Sequence, residues 1–378
     1  MKNVVIAGYA RSPFTPAKKG ELAKVRPDDL AAQVVRGLLE RVPVDPADLE
    51  DLIVGCAFPE GEQGFNVARM IDFLADLPIS VAGATVNRFC GSSMQAIHMA
   101  AGAIQMNAGE AFLCVGVESM TRIPMGGFNP LPNPGLFERY PQAFASMGET
   151  AENLAKRYAI PRRRQEELAV ASQAKAAAAQ AAGKLDAEIV PIAWNGSRVE
   201  RDGCPRPETT LEALAELKLA FATEGTVTAG TSSPLTDGAS ATLVCSEDYA
   251  ERKGLQPLAR IKAIAVSGCA PEVMGLGPVL STRKALERSG LELGEIDVVE
   301  LNEAFSAQAL ACIAELGLDE AKVNLDGGAI ALGHPLGATG ARITGKAAAL
   351  LAREGGRYAL ATQCIGGGQG IATVLEAV

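Results

Sequence analysis

Histidine is nearly absent from this chain: two occur in 378 residues, and tryptophan occurs once. Imidazole is the side chain that ordinarily titrates near neutrality, so where so scarce a residue is placed matters. Aromatic residues make up only 4 % of the sequence, which leaves the interior to small aliphatic side chains. Positive charge is not in excess either, with 35 Lys and Arg against 44 Asp and Glu and a net charge of −9. Nucleic-acid and membrane-surface binders need a basic face, and an anionic ligand would here need a local basic pocket. No apolar run approaches the length of a membrane span. The run Val4 to Ala10 is short and is followed at once by Arg11-Ser12-Pro13, which suits a first buried strand better than a signal peptide.

The eight cysteines, at 56, 90, 114, 204, 245, 269, 312 and 364, include no Cys-x-x-Cys pair and no histidine at ligand spacing. That pattern argues against a zinc site. Cys56, Cys114, Cys245 and Cys312 sit inside apolar runs and read as small buried hydrophobes. Free thiols fit a reducing cytoplasm.

What is abundant is small and apolar: 48 % hydrophobic residues and 40 glycines, which suggests closely packed helices and strands. The length implies two or three domains, or one large α/β assembly. Helical and extended patterns alternate. Pro27 to Val42 has acidic residues in its first turn and an apolar stripe through Leu30, Val34, Val35 and Leu38, as an amphipathic helix requires. Leu52 to Ala57 reads as a strand, Asn66 to Leu74 as helix, Ala82 to Val86 as strand, Ser93 to Ala108 as helix and Ala111 to Val117 as strand. The order recurs later, with helix Pro278 to Leu286, strand Val298 to Leu301, helix Ala304 to Leu316, strand Val323 to Asp326, helix Ala338 to Arg353 and strand Tyr358 to Cys364.

Matching positions keep a nearly constant separation: Ile53 to Val299 is 246 residues, Cys90 to His334 is 244, and Leu113 to Leu360 is 247. Such spacing indicates an internal duplication. The second copy closes with a strand, Ile371 to Leu375, whereas the first meets no equivalent until Thr242 to Cys245. The segment from about Glu118 to Gly230 is therefore an insertion, rich in Pro, Gly and Asn at first and then alanine-rich and helical from Gln165 to Ala182. Arg162-Arg163-Arg164 reads as a solvated helix start, with contact to a ligand phosphate as the alternative.

Three glycine-flanked elements carry candidate chemistry. Gly333-His334-Pro335-Leu336-Gly337-Ala338-Thr339-Gly340 sets a histidine in a turn that opens a helix. Asn87-Arg88-Phe89-Cys90-Gly91-Ser92-Ser93 sets a cysteine at the equivalent turn of the first copy. A helix N-terminus favours negative charge, so Cys90 is placed to be a thiolate nucleophile with His334 as its base. The alternative is a packed thiol and a hydrogen-bonded turn residue. Cys364, followed by Gly366, Gly367 and Gly368, suits a second acid–base thiol beside an oxyanion hole. Asn302 follows a strand, where ligand sites in α/β sheets gather, and is otherwise a helix N-cap.

Together these motifs resemble the thiolase family. The resemblance is carried by the Asn87–Ser93 and Gly327–Pro335 segments, by Ala229-Gly230-Thr231-Ser232-Ser233 with Asp237-Gly238, by Asn302-Glu303-Ala304-Phe305, and by Cys364-Ile365-Gly366-Gly367-Gly368-Gln369-Gly370, in order along the whole chain. It is most like the degradative 3-ketoacyl-CoA thiolases. The resemblance implies an α/β thiolase fold: two duplicated βαβαβαββ-type halves in a layered α/β/α/β/α arrangement, with an inserted loop domain. The halves would comprise residues 1–118 with 230–258, and 259–378, and the insertion residues 119–229. Cys90 would be the nucleophile, His334 its base, and Cys364 the acid and base for the acetyl carbanion and for CoA. Asn302 and the Gly366 backbone would contribute to oxyanion holes. Ser233 would meet the pantetheine, Arg206 the adenine, and Met147 and Met274 the acyl end, where either methionine could equally be core filler. Coenzyme A enters as substrate, with no bound cofactor or metal. The implied partners are acyl-CoA and CoA, a second copy or three further copies of the chain, and a hydratase/dehydrogenase of β-oxidation, in the cytoplasm and without nucleic acid or a membrane span. Two departures stand out. Ser146 precedes Met147-Gly148 where acetoacetyl-CoA thiolases commonly have histidine, which favours longer substrates. Thr339 replaces the usual serine, a conservative change. The alternatives are an acetoacetyl-CoA thiolase in biosynthesis and a non-catalytic subunit of a β-oxidation complex.

Overall fold

A computed structural model describes residues 2–378. In chain order the main elements are β1 (Val4–Arg11), α1 (Pro27–Arg41), β2 (Asp51–Gly55), α2 (Val67–Leu74), β3 (Ala82–Val86), α3 (Ser92–Gln105) and β4 (Ala111–Ser119). After a long excursion containing α4 (Met147–Arg157) and α5 (Arg162–Ala181) come β5 (Thr236–Ser246), β6 (Ala259–Gly268), α6 (Gly277–Ser289), β7 (Val298–Leu301), α7 (Ser306–Leu316), α8 (Leu336–Glu354), β8 (Tyr358–Ile365) and β9 (Gln369–Glu376). The local chemistry accounts for the ends. α1 has Pro27 at its first position, Asp28 and Asp29 in its first turn and Arg41 in its last, each favourable against the helix dipole.

The strands run in the order β7-β8-β9-β6-β1-β5-β4-β2-β3. β3, β2 and β4 are mutually parallel, as are β7 and β8, and the strands between pair antiparallel. The seam between the halves is narrow, since β1 and β6 pair only through Val5 with Arg260 and Ile6 with Ala259. α1 and α2 cover the outer face of the first half-sheet, and α6 and α7 that of the second. α3 and α8 lie between, α8 touching both half-sheets, which completes the five-layer α/β/α/β/α arrangement. Close approach in the middle layer explains the glycine content. A Cβ on Gly340 would lie 2.3 Å from the Met94 backbone nitrogen, and one on Gly337 2.6 Å from the Val117 carbonyl.

The ladders expose the duplication residue by residue. Ile53 pairs with Cys114 as Val299 pairs with Leu360. Glu118 opposes Gly238 as Cys364 opposes Gly370. The counterpart of Leu360 in the first half is thus Cys114 and not Leu113. The one-residue difference matters because it moves every side chain to the other face of the strand.

Three further expectations are corrected. Val323 to Asp326 is not a strand: Val323 makes a single bridge to Val299, and Asn324 takes a left-handed conformation, φ +48°, which ends extension. The helix expected from Ala304 starts at Ser306, because Phe305 is extended and bridges Ser232. β6, which pairs along the whole of β9, had no counterpart in the sequence reading; its residues are only half-buried and carry Arg260 and Lys262 among apolar neighbours.

Candidate active site

Cys90 sits in the turn between β3 and α3. Asn87 Oδ1 accepts the Phe89 N–H at 2.9 Å, and Phe89 itself has φ +42°. Ser92 Oγ accepts the Arg88 N–H at 2.8 Å and donates to the Phe89 carbonyl at 2.6 Å. Arg88 reaches across to Gln369 Oε1 at 2.8 Å, and Gln363 donates to the Cys90 carbonyl, so the turn is fastened to β8 and β9 as well as to its own helix. The Gly366 N–H acts on the Cys90 thiol in the direction that lowers its pKa.

His334 precedes α8 at the equivalent turn. Its N–H donates to Thr236 Oγ1 at 3.0 Å. The ring contacts identify the tautomer. The Thr339 hydroxyl donates to the Pro335 carbonyl at 3.0 Å, so it can only accept from the imidazole Nδ1, 2.6 Å away. Nδ1 therefore carries the proton and Nε2 the lone pair, faced by Asn302 Nδ2 at 3.4 Å. A neutral imidazole with its lone pair on Nε2 is competent to take a proton from a thiol.

Both turns open on one cavity of about 250 Å³. Its wall includes Cys90, His334, Cys364 and Ser233, with Met120, Met125, Met147, Met274, Phe221 and Phe305 as the apolar part. Ser233 is held there by donating its N–H to the Ala304 carbonyl at 3.0 Å. Burial dominates the electrostatics. It pushes the Cys90 thiol up to about 11, against the lowering effect of the Gly366 N–H and of the residue's own N–H, with Glu118 adding a smaller upward push. Burial likewise drives His334 down to about 3, helped by the nearby Arg342 cation, so the ring is neutral at physiological pH. Cys364 is raised well above the ordinary thiol range by burial and then by the charge of Cys90. The expected depression of the Cys90 pKa at a helix N-terminus is thus outweighed: the cavity wall carries a protonated thiol and a neutral imidazole.

Comparison with known proteins agrees with this geometry. The family model described as the thiolase N-terminal domain matches residues 4–248, and that of the thiolase C-terminal domain matches residues 255–377. The chain belongs to the thiolase family. Among its relatives are proteins named 3-ketoacyl-CoA thiolase from Bacillus subtilis (strain 168), 46 % identical, and from Aliivibrio fischeri (strain ATCC 700601 / ES114), 50 % identical, each aligned over 100 % of both chains. A third of that name, from Vibrio cholerae serotype O1 (strain ATCC 39315 / El Tor Inaba N16961), is 49 % identical over 100 % of both.

On this thiolase fold the sequence-derived candidates separate into three groups. Cys90, His334, Cys364, Ser233, Met147 and Met274 line the cavity. Asn302 and Gly366 stand behind it, Asn302 against the histidine and Gly366 against the cysteine. Asn302 is not a helix cap, since α7 is capped by Phe305 without any side-chain bond. Arg206 is exposed and is not part of the cavity wall; its N–H donates to Gln173 Oε1 at 2.7 Å. The three arginines opening α5 are engaged by protein: Arg162 by Glu166 and the carbonyls of Leu214, Ala215 and Leu217, Arg163 by Glu167, and Arg164 by Glu320. The second histidine, His98, is buried against Thr373 Oγ1 at 2.9 Å, away from the cavity. Thr339, the conservative replacement for serine, keeps a hydroxyl 2.6 Å from His334 Nδ1. It lies five residues past the histidine, inside the helix that the histidine turn opens.

Proposed function

We propose that this chain cleaves 3-ketoacyl-CoA with CoA, giving acetyl-CoA and an acyl-CoA two carbons shorter. The observation that carries the reading is the convergence of Cys90, His334 and Cys364 on one apolar cavity. His334 Nε2 takes the Cys90 proton and the thiolate attacks the 3-keto carbon. The C2–C3 bond breaks as Cys364 protonates the departing carbanion, leaving the acyl group on Cys90 as a thioester. CoA then enters and gives its thiol proton to the Cys364 thiolate. The CoA sulfur attacks the thioester, and Cys90 leaves and recovers its proton from His334. Run backwards, this is a Claisen condensation.

Two oxyanions need stabilising. The Cys90 and Gly366 N–H groups serve the one formed from the attacked carbonyl, and imidazolium His334 with a water held by Asn302 serves the enolate. Loss of one such donor typically costs about 10²- to 10³-fold in rate. The thioester of CoA itself acidifies the neighbouring carbon, so the chemistry calls on no resident cofactor.

The relatives' name, the methionine-rich wall and Ser146 at the cavity edge support a preference for degradation of longer chains. The setting we propose for it is β-oxidation in the cytoplasm, beside a hydratase/dehydrogenase. The residue ranges 1–118 with 230–258, 119–229 and 259–378 are read as first half, insertion and second half, supported by the matching ladders. A homodimer, alone or doubled into a tetramer, is supported by the outer edge of β3. That edge has no strand beside it among the described residues, and Phe65 and Ile79 are exposed in the segments flanking β3 and α2. Light scattering on purified protein tests this, and a monomer would refute it.

The deciding experiment is mass spectrometry of the protein after a brief reaction with 3-ketoacyl-CoA. An acyl group on the Cys90 peptide is expected; its absence in a protein that turns over substrate would overturn the mechanism. Thiolysis rates across chain lengths test the substrate class, and a clear preference for acetoacetyl-CoA would reassign the chain to the short-chain reaction.

A further inference from the structure

Glu118 ends β4 fully buried, and both carboxylate oxygens are occupied. Oε2 accepts the N–H groups of Ala57 at 2.8 Å and Gly337 at 2.9 Å. Oε1 accepts Gln63 Nε2 at 2.8 Å and the Phe58 N–H at 3.3 Å. All four nitrogen partners are donors, a set that an acceptor-only carboxylate satisfies and a carboxamide does not.

The two Oε2 bonds lead to opposite halves of the molecule. Gly337 lies in the first turn of α8, directly after the His334 turn. Ala57 leads the other way: its carbonyl accepts from Asn87 Nδ2 at 3.0 Å, and Asn87 Oδ1 holds the Phe89 N–H beside Cys90. One buried carboxylate thus ties together the turns bearing the thiol and the base. The ladders add a second relationship, because Glu118 is the counterpart of Cys364. The same strand position carries a thiol in the cavity wall of one half and a clamp in the other. By the same correspondence Cys56, whose sulfur approaches Glu118 Oε1 at 3.8 Å, takes the place of Asn302.

We propose that Glu118 is a positioning residue for the reaction, its carboxylate setting the separation and orientation of the Cys90 and His334 turns for proton transfer. The inference rests on the roles assigned to those two residues above. It is therefore tested in protein whose wild type has first been shown to form acyl-Cys90, so that failure of the mechanism is seen separately.

Glu118→Gln puts an amide NH₂ among N–H donors. A misplacement of about 1 Å is worth about 10²-fold, so kcat is expected to fall by about that factor. Because substrate binding is not touched, KM should stay within about threefold. Alkylation of Cys90 by iodoacetamide should at the same time begin at lower pH, since a nearby negative charge has been removed. A more ionisable thiol in a slower enzyme is a combination that general loosening of the fold at unchanged melting temperature does not produce. A folded Glu118→Gln enzyme with kcat within about threefold of wild type overturns the proposal. If that variant does not fold, Asn87→Ala cuts the same link at an exposed residue: a loss of kcat at unchanged melting temperature supports the proposal, and wild-type kcat overturns it.

Discussion

His334 Nδ1 lies 2.6 Å from Thr339 Oγ1, and the Thr339 hydroxyl proton is already committed to the Pro335 carbonyl. This pair decides which nitrogen of the ring is basic. The imidazole cannot turn its lone pair toward Thr339 without setting two acceptors against each other, so the lone pair stays on Nε2, on the side where Asn302 Nδ2 stands at 3.4 Å.

Thr339→Val removes that acceptor and strands a buried N–H, which costs about 1–3 kcal/mol. Thiolysis should fall by roughly 10- to 10²-fold, because 1.4 kcal/mol corresponds to tenfold, and Thr339→Ser should restore it. Steady-state kinetics of the two variants check this; equal activity in both would remove Thr339 from the mechanism.

Cys90→Ala should abolish acyl-enzyme altogether. Cys364→Ala should still accept an acyl group onto Cys90 from a simple acyl-CoA, where no carbon–carbon bond is cleaved. Its thiolysis of 3-ketoacyl-CoA should fall by roughly 10²- to 10⁴-fold, the range for loss of a general acid. Intact mass and thiolysis assays, run side by side, separate the two thiols.

Burial holds His98 at about 3, far below the usual histidine value of 6.5. The unfolded chain therefore takes up this proton near pH 6.5 while the folded chain refuses it until about pH 3. Stability associated with neutral His98 is present above pH 6.5 and is lost as the pH falls through that window, by about 2 kcal/mol at pH 5. Between pH 7 and 5 the wild type should accordingly lose more in melting temperature than His98→Gln does. Parallel melting curves test this difference, which cancels titrations common to both proteins, such as Glu300 and Asp72, each raised to about 7 by burial.

Met147 and Met274 bound the cavity near Cys364, where both pack beside it. Met147→Phe should narrow the acyl end and lower the ratio of long-chain to acetoacetyl-CoA thiolysis by about tenfold, the scale of one or two methylenes in an apolar pocket. An unchanged ratio would remove Met147 from the acyl site.

The fold was largely readable because its signals are local. Apolar periodicity placed α1, β2, α3, β4 and α8 to within a few residues, and the repeated spacing related the two halves. Val323 to Asp326 failed because a left-handed Asn324 leaves no mark on hydropathy. β6 was missed because its half-buried, charge-bearing pattern resembles a surface segment. The contacts of Glu118 depend on which atoms meet between α8 and the first half-sheet, which no spacing encodes.

By itself, then, the sequence determined the alternation of helix and strand, the duplication, and the ordered motifs by which the chain is placed among thiolases. The tertiary structure decided the chemistry of those motifs. Charge at a helix N-terminus is a local property and predicts an acidic thiol, but desolvation depends on what the rest of the molecule stacks over it. With α3 and α8 enclosed between two half-sheets, burial prevails, leaving Cys90 a thiol near 11 and His334 a neutral base near 3.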